Sequence, residues 1–128
     1  MNPDEAATDA RRHRVFVYGT LRQGGSNHHR MEGAEFIAPA TIKARLYRID
    51  WYPGLISDPA ACPVVGELYT VDDSQLAALD EYEGEEYRRV ELPVTLTGDP
   101  DTTVLAWTWE WLGSVDESRR LPGGDWLA

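Results

Sequence analysis

Val15-Phe16-Val17 runs directly into Tyr18-Gly19-Thr20-Leu21-Arg22, and this junction restricts the fold more than any other stretch of the chain. Three β-formers in succession read as a short buried strand. Gly19 lets the chain leave that strand with dihedrals closed to other residues, and lets a ligand approach the backbone closely. Gln23-Gly24-Gly25-Ser26-Asn27 prolongs the turn. Several backbone N–H groups are then left without a ladder partner, to be satisfied by water, side chains or a bound anion. The pattern predicts a binding loop set on a rigid strand.

The remaining chain reads as short extended pieces and one helix. Residues 35–37 suggest a strand ending near Pro39. Residues 41–49 alternate, with Lys43, Arg45, Tyr47 and Ile49 on one side and Ile42, Ala44, Leu46 and Arg48 on the other. Tyr52-Pro53-Gly54-Leu55 is a turn into another extended piece, and Asp58-Pro59 with Pro63 marks a loop. Residues 64–71 form a further strand, with Gly66 at a bulge or bend. Asp72, Asp73 and Ser74 supply N-cap oxygens for a helix over 75–83, which Gly84 stops. Residues 87–96 form a strand that Pro93 confines to an edge or a bulge. A turn at Gly98-Asp99-Pro100-Asp101 leads to the last long strand, where Thr103, Leu105, Trp107, Trp109 and Trp111 share one face. Trp126 is an anchor for the irregular tail. Many short strands with a single helix predict an α+β domain on a small, mostly antiparallel sheet or barrel.

The 128 residues fit one domain, expected over 15–128, with the polar segment 1–14 read as a flexible tail rather than a signal peptide. The formal charge of −10, from 22 acidic and 12 basic residues, disfavours a nucleic-acid partner. No segment reaches the roughly 18–20 apolar residues that span a bilayer. Cys62 is the single cysteine, so no intramolecular disulfide or cysteine metal cluster is expected, and the setting reads as reducing and cytoplasmic. Its apolar neighbours suggest a small buried hydrophobe.

Chemistry points to the helix. Leu76, Leu79 and Glu83 fall at i, i+3 and i+7, which sets Glu83 on the face that docks on the core. Asp80 flanks it. Desolvation, the like charge of Asp80 and the negative end of the helix dipole would each raise the pKa of Glu83, as a general base at neutral pH requires. The pattern equally allows Glu83 to point to solvent as the helix ends. His28-His29 lacks a third ligand at zinc-like spacing, Ser26 lacks a nucleophile-elbow context, and the 18–22 segment has no Gly-Lys-Ser/Thr element. The tryptophan row reads as core packing, with Trp107 or Trp109 available to wall an apolar pocket.

Taken in order, these segments resemble the γ-glutamylcyclotransferase-like proteins, which include γ-glutamylamine cyclotransferases and plant avirulence-induced proteins. The resemblance rests on Phe16-Val17-Tyr18-Gly19-Thr20-Leu21-Arg22 with Gly25 and Asn27, and on Leu79-Asp80-Glu81-Tyr82-Glu83-Gly84 with Tyr87 and Arg89-Val90. Tyr52-Pro53-Gly54-Leu55, Val65-Gly66-Glu67-Leu68-Tyr69 and Gly124-Asp125-Trp126 add to it. It implies a small mixed, mostly antiparallel barrel flanked by helices. It also implies Glu83 as general base in the cyclisation of a γ-glutamyl amine or peptide to 5-oxoproline, with no metal or organic cofactor. Tyr18, Gly19, Thr20, Leu21, Tyr87 and Trp107 would contact the substrate, the loop through its N–H groups. Trp107 departs from the family by standing where relatives often carry a pocket tyrosine. The alternative is a non-catalytic module that binds a small carboxylate or amine on the same fold.

Overall fold

The computed structural model describes residues 12–128. Six strands are present: β1 (His13–Val17), β2 (Glu35–Arg48), β3 (Pro53–Ser57), β4 (Pro63–Val71), β5 (Tyr87–Leu96) and β6 (Asp99–Trp111). One helix, α1 (Asp73–Glu83), follows β4. The chain closes through β1, β4, β2, β3 and β6 into a five-strand ring, completed by a parallel pairing of Val15 with Trp107. The β5 strand lies antiparallel to β6 along its length and touches β2 only at Ala40 and Thr41, so it lies beside β3 over the gap between β2 and β6. The barrel is mixed and mostly antiparallel, as expected. A single α-helix flanks it among the described residues. The other helical pieces are 3-10 turns at His28–Met31 and Glu117–Arg119.

The unbroken apolar run in β1 follows from cover on both faces. Phe16 points into the ring with Ile42, Leu46, Leu55, Val64 and Leu68. Val15 and Val17 point outward, where α1 packs Leu76 and Leu79 over them, over Val71 and over Trp109. Val15, Phe16, Leu55, Val64 and Val71 are all at 0% exposure, each burial stabilising the fold by about 1.5–3 kcal/mol. The alternation in β2 sends Ile42, Ala44 and Leu46 inward, as anticipated.

Several boundaries differ from the sequence reading. His13 and Arg14, assigned to the polar tail, already pair with Val71 and Thr70, while residues 1–11 lie outside the described residues. Residues 35–37 and 41–48 belong to one strand that runs through Pro39, with a register shift between Phe36 and Ala38. The Pro39 carbonyl accepts from Thr97, just past the end of β5, so its missing N–H faces the place where that ladder stops. The β5–β6 turn is at Thr97-Gly98, and Asp99 already pairs with Leu96. Cys62 is exposed rather than buried. The Ala61 N–H bonds to the Asp58 carbonyl, and this turn carries Cys62 over the surface before β4 begins.

Gly66 is explained by close approach. A Cβ there would lie against the Val17 carbonyl oxygen and 2.5 Å from the Phe16 ring. Gly66→Ala is expected to destabilise the protein by about 1–3 kcal/mol through overpacking, read from the urea midpoint at unchanged slope. Among the described residues no helix is long and apolar enough to cross a membrane.

Candidate functional site

The loop after β1 is built by backbone bonds and one partly buried ion-pair network. Arg22 N–H returns to Gly19 O at 3.1 Å, Gly25 N–H to Arg22 O at 2.7 Å, and Asn27 N–H to Thr20 O at 2.9 Å. Gly25 is required for this winding, because a Cβ would lie 2.7 Å from the carbonyl carbon of Thr20. Gly19 sits against Pro53, whose Cγ would be 2.6 Å from an added Cβ. Beneath the loop, Arg22 Nε donates to Glu67 at 3.2 Å and its Nη1 to Asp125 at 2.7 Å. Glu67 also accepts from the Gln23 N–H and the Tyr69 hydroxyl, both at 2.9 Å. The result is a loop whose Gly19, Thr20 and Leu21 N–H groups donate to no acceptor among the described residues.

The helix is positioned by its caps. Asp72 accepts from Gln75 N–H at 2.8 Å, and Gly84 ends the helix with φ of 77°. With Leu76 and Leu79 buried against the sheet, the same face brings Glu83 to the loop. A cavity of about 240 Å³ lies between them. That is below the roughly 300–1,000 Å³ of drug-sized sites and suits an amino-acid-sized ligand. Glu83, Tyr18, Gly19, Thr20, Leu21 and Tyr87 all line this cavity.

Two tyrosines fix the floor and one side. The Tyr18 hydroxyl donates to the Trp109 carbonyl at 2.7 Å and accepts from Leu55 N–H at 3.3 Å. Burial is the main reason that its phenol is held well above the usual range, with Tyr87 and Glu83 adding to it. The Tyr87 hydroxyl donates to Pro53 O at 2.6 Å, joining β5 to the start of β3. Thr20 Oγ1 and the Tyr82 hydroxyl are 3.1 Å apart, a direct bond from the loop to α1.

Glu83 is half-buried, and its pKa is raised to about 7, chiefly by burial and then by the charge of Asp80. Its carboxylate has no hydrogen-bond or ion-pair partner among the described residues. Asp80, by contrast, accepts from Trp109 Nε1 at 2.9 Å and pairs with Arg89 at 3.2 Å. Among the described residues no Lys, Arg or His lines the cavity, so an anionic end of a ligand would rely on backbone N–H groups.

Trp107 does not line the cavity. Trp109 does, and the pocket-wall assignment moves two residues along β6. The two side chains share a face, but Trp109 lies under α1 in the buried layer, whereas Trp107 carries the Arg89 guanidinium over its ring at 4.5 Å. Trp51, Tyr52, Pro53, Tyr82 and Glu86 also line the cavity, none of them assigned a contact from sequence. The Tyr52-Pro53-Gly54 turn was the available signal: Gly54 admits the Trp111 side chain, 2.8 Å from where its Cβ would be, and so seats the turn on β6. His28 is structural, with Nδ1 2.9 Å from Leu21 O.

Residues 15–128 match the family model described as gamma-glutamyl cyclotransferase, AIG2-like. The gamma-glutamylcyclotransferase family protein YtfP of Escherichia coli K12 is 36% identical over 117 residues, covering 89% of this chain and 96% of that one. A gamma-glutamylaminecyclotransferase A of Danio rerio is 40% identical over 79 residues, 54% of this chain and 49% of that one. Among solved structures, an AIG2-like protein of Mus musculus superposes with a TM-score of 0.73 at 28% identity, covering 83% and 81% of the two chains. An uncharacterised Pyrococcus horikoshii protein gives 0.71 at 28% identity, covering 89% of each. Alike in sequence and in three dimensions over nearly all of the described fold, the chain belongs to the AIG2-like gamma-glutamyl cyclotransferase family.

Proposed function

We propose that the protein cyclises a γ-glutamyl amine or peptide, releasing 5-oxoproline and a free amine, with Glu83 as general base. The observation that carries this reading is a half-buried carboxylate, raised to about 7, sharing one small cavity with the unpartnered N–H groups of the 18–21 loop. A site that only bound anions would gain nothing from that carboxylate.

In the reaction the α-ammonium of the substrate gives one proton to Glu83, and the freed amine attacks the γ-carbonyl carbon. The new C–N bond closes a five-membered ring, and the oxygen takes up the negative charge opposite the N–H groups of Gly19, Thr20 and Leu21. As the amide C–N bond breaks, Glu83 returns its proton to the leaving nitrogen. The second proton lost by the ring nitrogen also ends there, so the amine departs as an ammonium and Glu83 is again a carboxylate. Nucleophile, electrophile and leaving group belong to one substrate, so no metal or organic cofactor is needed. The protein contributes mostly geometry, holding a flexible chain in its near-attack fold against Tyr18 and Tyr87. An amine leaving group accords with the name of the Danio rerio relative. A cytoplasmic setting accords with the lone Cys62.

The test is 5-oxoproline release from a panel of γ-glutamyl amines and peptides. Turnover is expected, with kcat/KM falling on the acid side through an apparent pKa of about 7, because the base must be ionised in the free enzyme. Binding without release across the panel would favour the non-catalytic module instead.

A further inference from the structure

The cavity has a buried end and an open rim. Tyr18, Thr20 and Leu21 are buried, while Trp51 on the opposite side is 58% exposed. Trp51 meets Tyr52 edge to face at 5.0 Å, and Tyr52 leans on Tyr87 at 6.5 Å, so the rim is an aromatic corner. Glu86 completes it. The Tyr52 phenol is held above its usual value first by desolvation and next by the Glu86 charge. Of the carboxylates around it, Asp80 has Arg89 and Glu110 has Arg88, whereas Glu83 has no cation among the described residues. Among the described residues Glu86 has none, and no basic side chain lines the cavity.

We propose that this rim receives the leaving group and selects an amine with a second positive charge and no carboxylate, that is, a γ-glutamyl conjugate of a diamine. The inference rests on the cyclotransferase reading, which puts the γ-glutamyl group at the loop and Glu83 and therefore sends the leaving group outward. A distal ammonium there meets aromatic faces and an unpaired carboxylate, both attractive to a cation. A leaving amino acid would bring its own carboxylate toward Glu86 with no cation to receive it, in a protein of net charge −10. A neutral alkyl amine would gain the apolar contact and lose the rest.

Three probes of matched length separate these cases: the γ-glutamyl conjugates of 1,4-diaminobutane, butylamine and 4-aminobutyrate. The wild type is expected to give kcat/KM in that order, with about tenfold between the first two. Glu86→Gln, at an exposed position, should lower the diamine conjugate by about fivefold and the butylamine conjugate by less than about twofold. Trp51→Ala, at a position 58% exposed, should lower the diamine conjugate as well. Equal or better use of the butylamine or aminobutyrate conjugate overturns the proposal, as does a Glu86→Gln loss of the same size for all three. Equilibrium binding of the same probes to Glu83→Gln reads the charge preference without chemistry. A preserved ranking with no 5-oxoproline from the wild type sinks the cyclotransferase reading alone, whereas binding without a ranking sinks the rim proposal.

Discussion

Glu83→Gln is expected to lower 5-oxoproline release by roughly 1,000-fold, within the range that a positioned general base contributes. Gln keeps the shape and the hydrogen-bonding reach of the side chain, so binding of a γ-glutamyl conjugate should change little. The loss should therefore fall on kcat. The same substitution is expected to stabilise the protein. An unfolded glutamate titrates near 4.5 and the folded Glu83 near 7, so the folded state holds the extra proton between those values. Stability contributed by this group is fully present below about 4.5 and is lost as pH rises through 7. At pH 8 the ionised Glu83 therefore destabilises the fold, by about 1–3 kcal/mol after discounting for its partial exposure. Glu83→Gln should raise the melting temperature at pH 8 by several degrees, with the gain shrinking toward pH 5. A variant that is inactive and also less stable at pH 8 would mean that Glu83 holds the structure rather than the chemistry.

The second large effect is expected at Arg22. Its side chain and that of Glu67 are each 11% exposed, and the pair at 3.2 Å is the centre of the network beneath the loop. Arg22→Met keeps the length and leaves Glu67 as a buried charge without its cation. The expected cost is about 3 kcal/mol, at the low end for a broken buried pair because Gln23 N–H and the Tyr69 hydroxyl still donate to Glu67. Removing the charge as well, in Arg22→Met with Glu67→Gln, should recover at least half of that loss in a double-mutant cycle. KM for a γ-glutamyl conjugate should rise in the single variant more than stability alone explains, because the Gly19, Thr20 and Leu21 N–H groups lose their foundation. Denaturant unfolding and initial rates measured on the same preparations check both parts.

The helix was legible in the sequence because its signals are local: Asp72 caps it, Gly84 stops it, and the leucine spacing gives the buried face. The position of Glu83 beside the loop follows from that face once α1 docks on β1. Pro39 misled because a proline reads as a strand end, and only the spatial neighbour of its nitrogen shows that no donor is needed there. Trp107 and Trp109 cannot be ranked by alternation, since both lie on one face. What separates them is how far along β6 the helix sits, a tertiary fact. Trp51, Tyr52 and Glu86 come to one rim through the β2–β3 turn and the α1–β5 connection, which no periodicity links. Cys62 looked buried by its neighbours, and a turn four residues long, Asp58 to Ala61, decided otherwise.

Arg22 and Asp125 are 103 positions apart, and β1 closes the ring only by meeting Trp107. The loop proposed to hold the substrate is therefore not a local object. Its closure carries the entropy of a long chain loop and must follow the formation of β6. Ligand binding should be lost in step with global unfolding and not as a separable subdomain. Competence to bind is in this sense a report on the completion of the whole barrel.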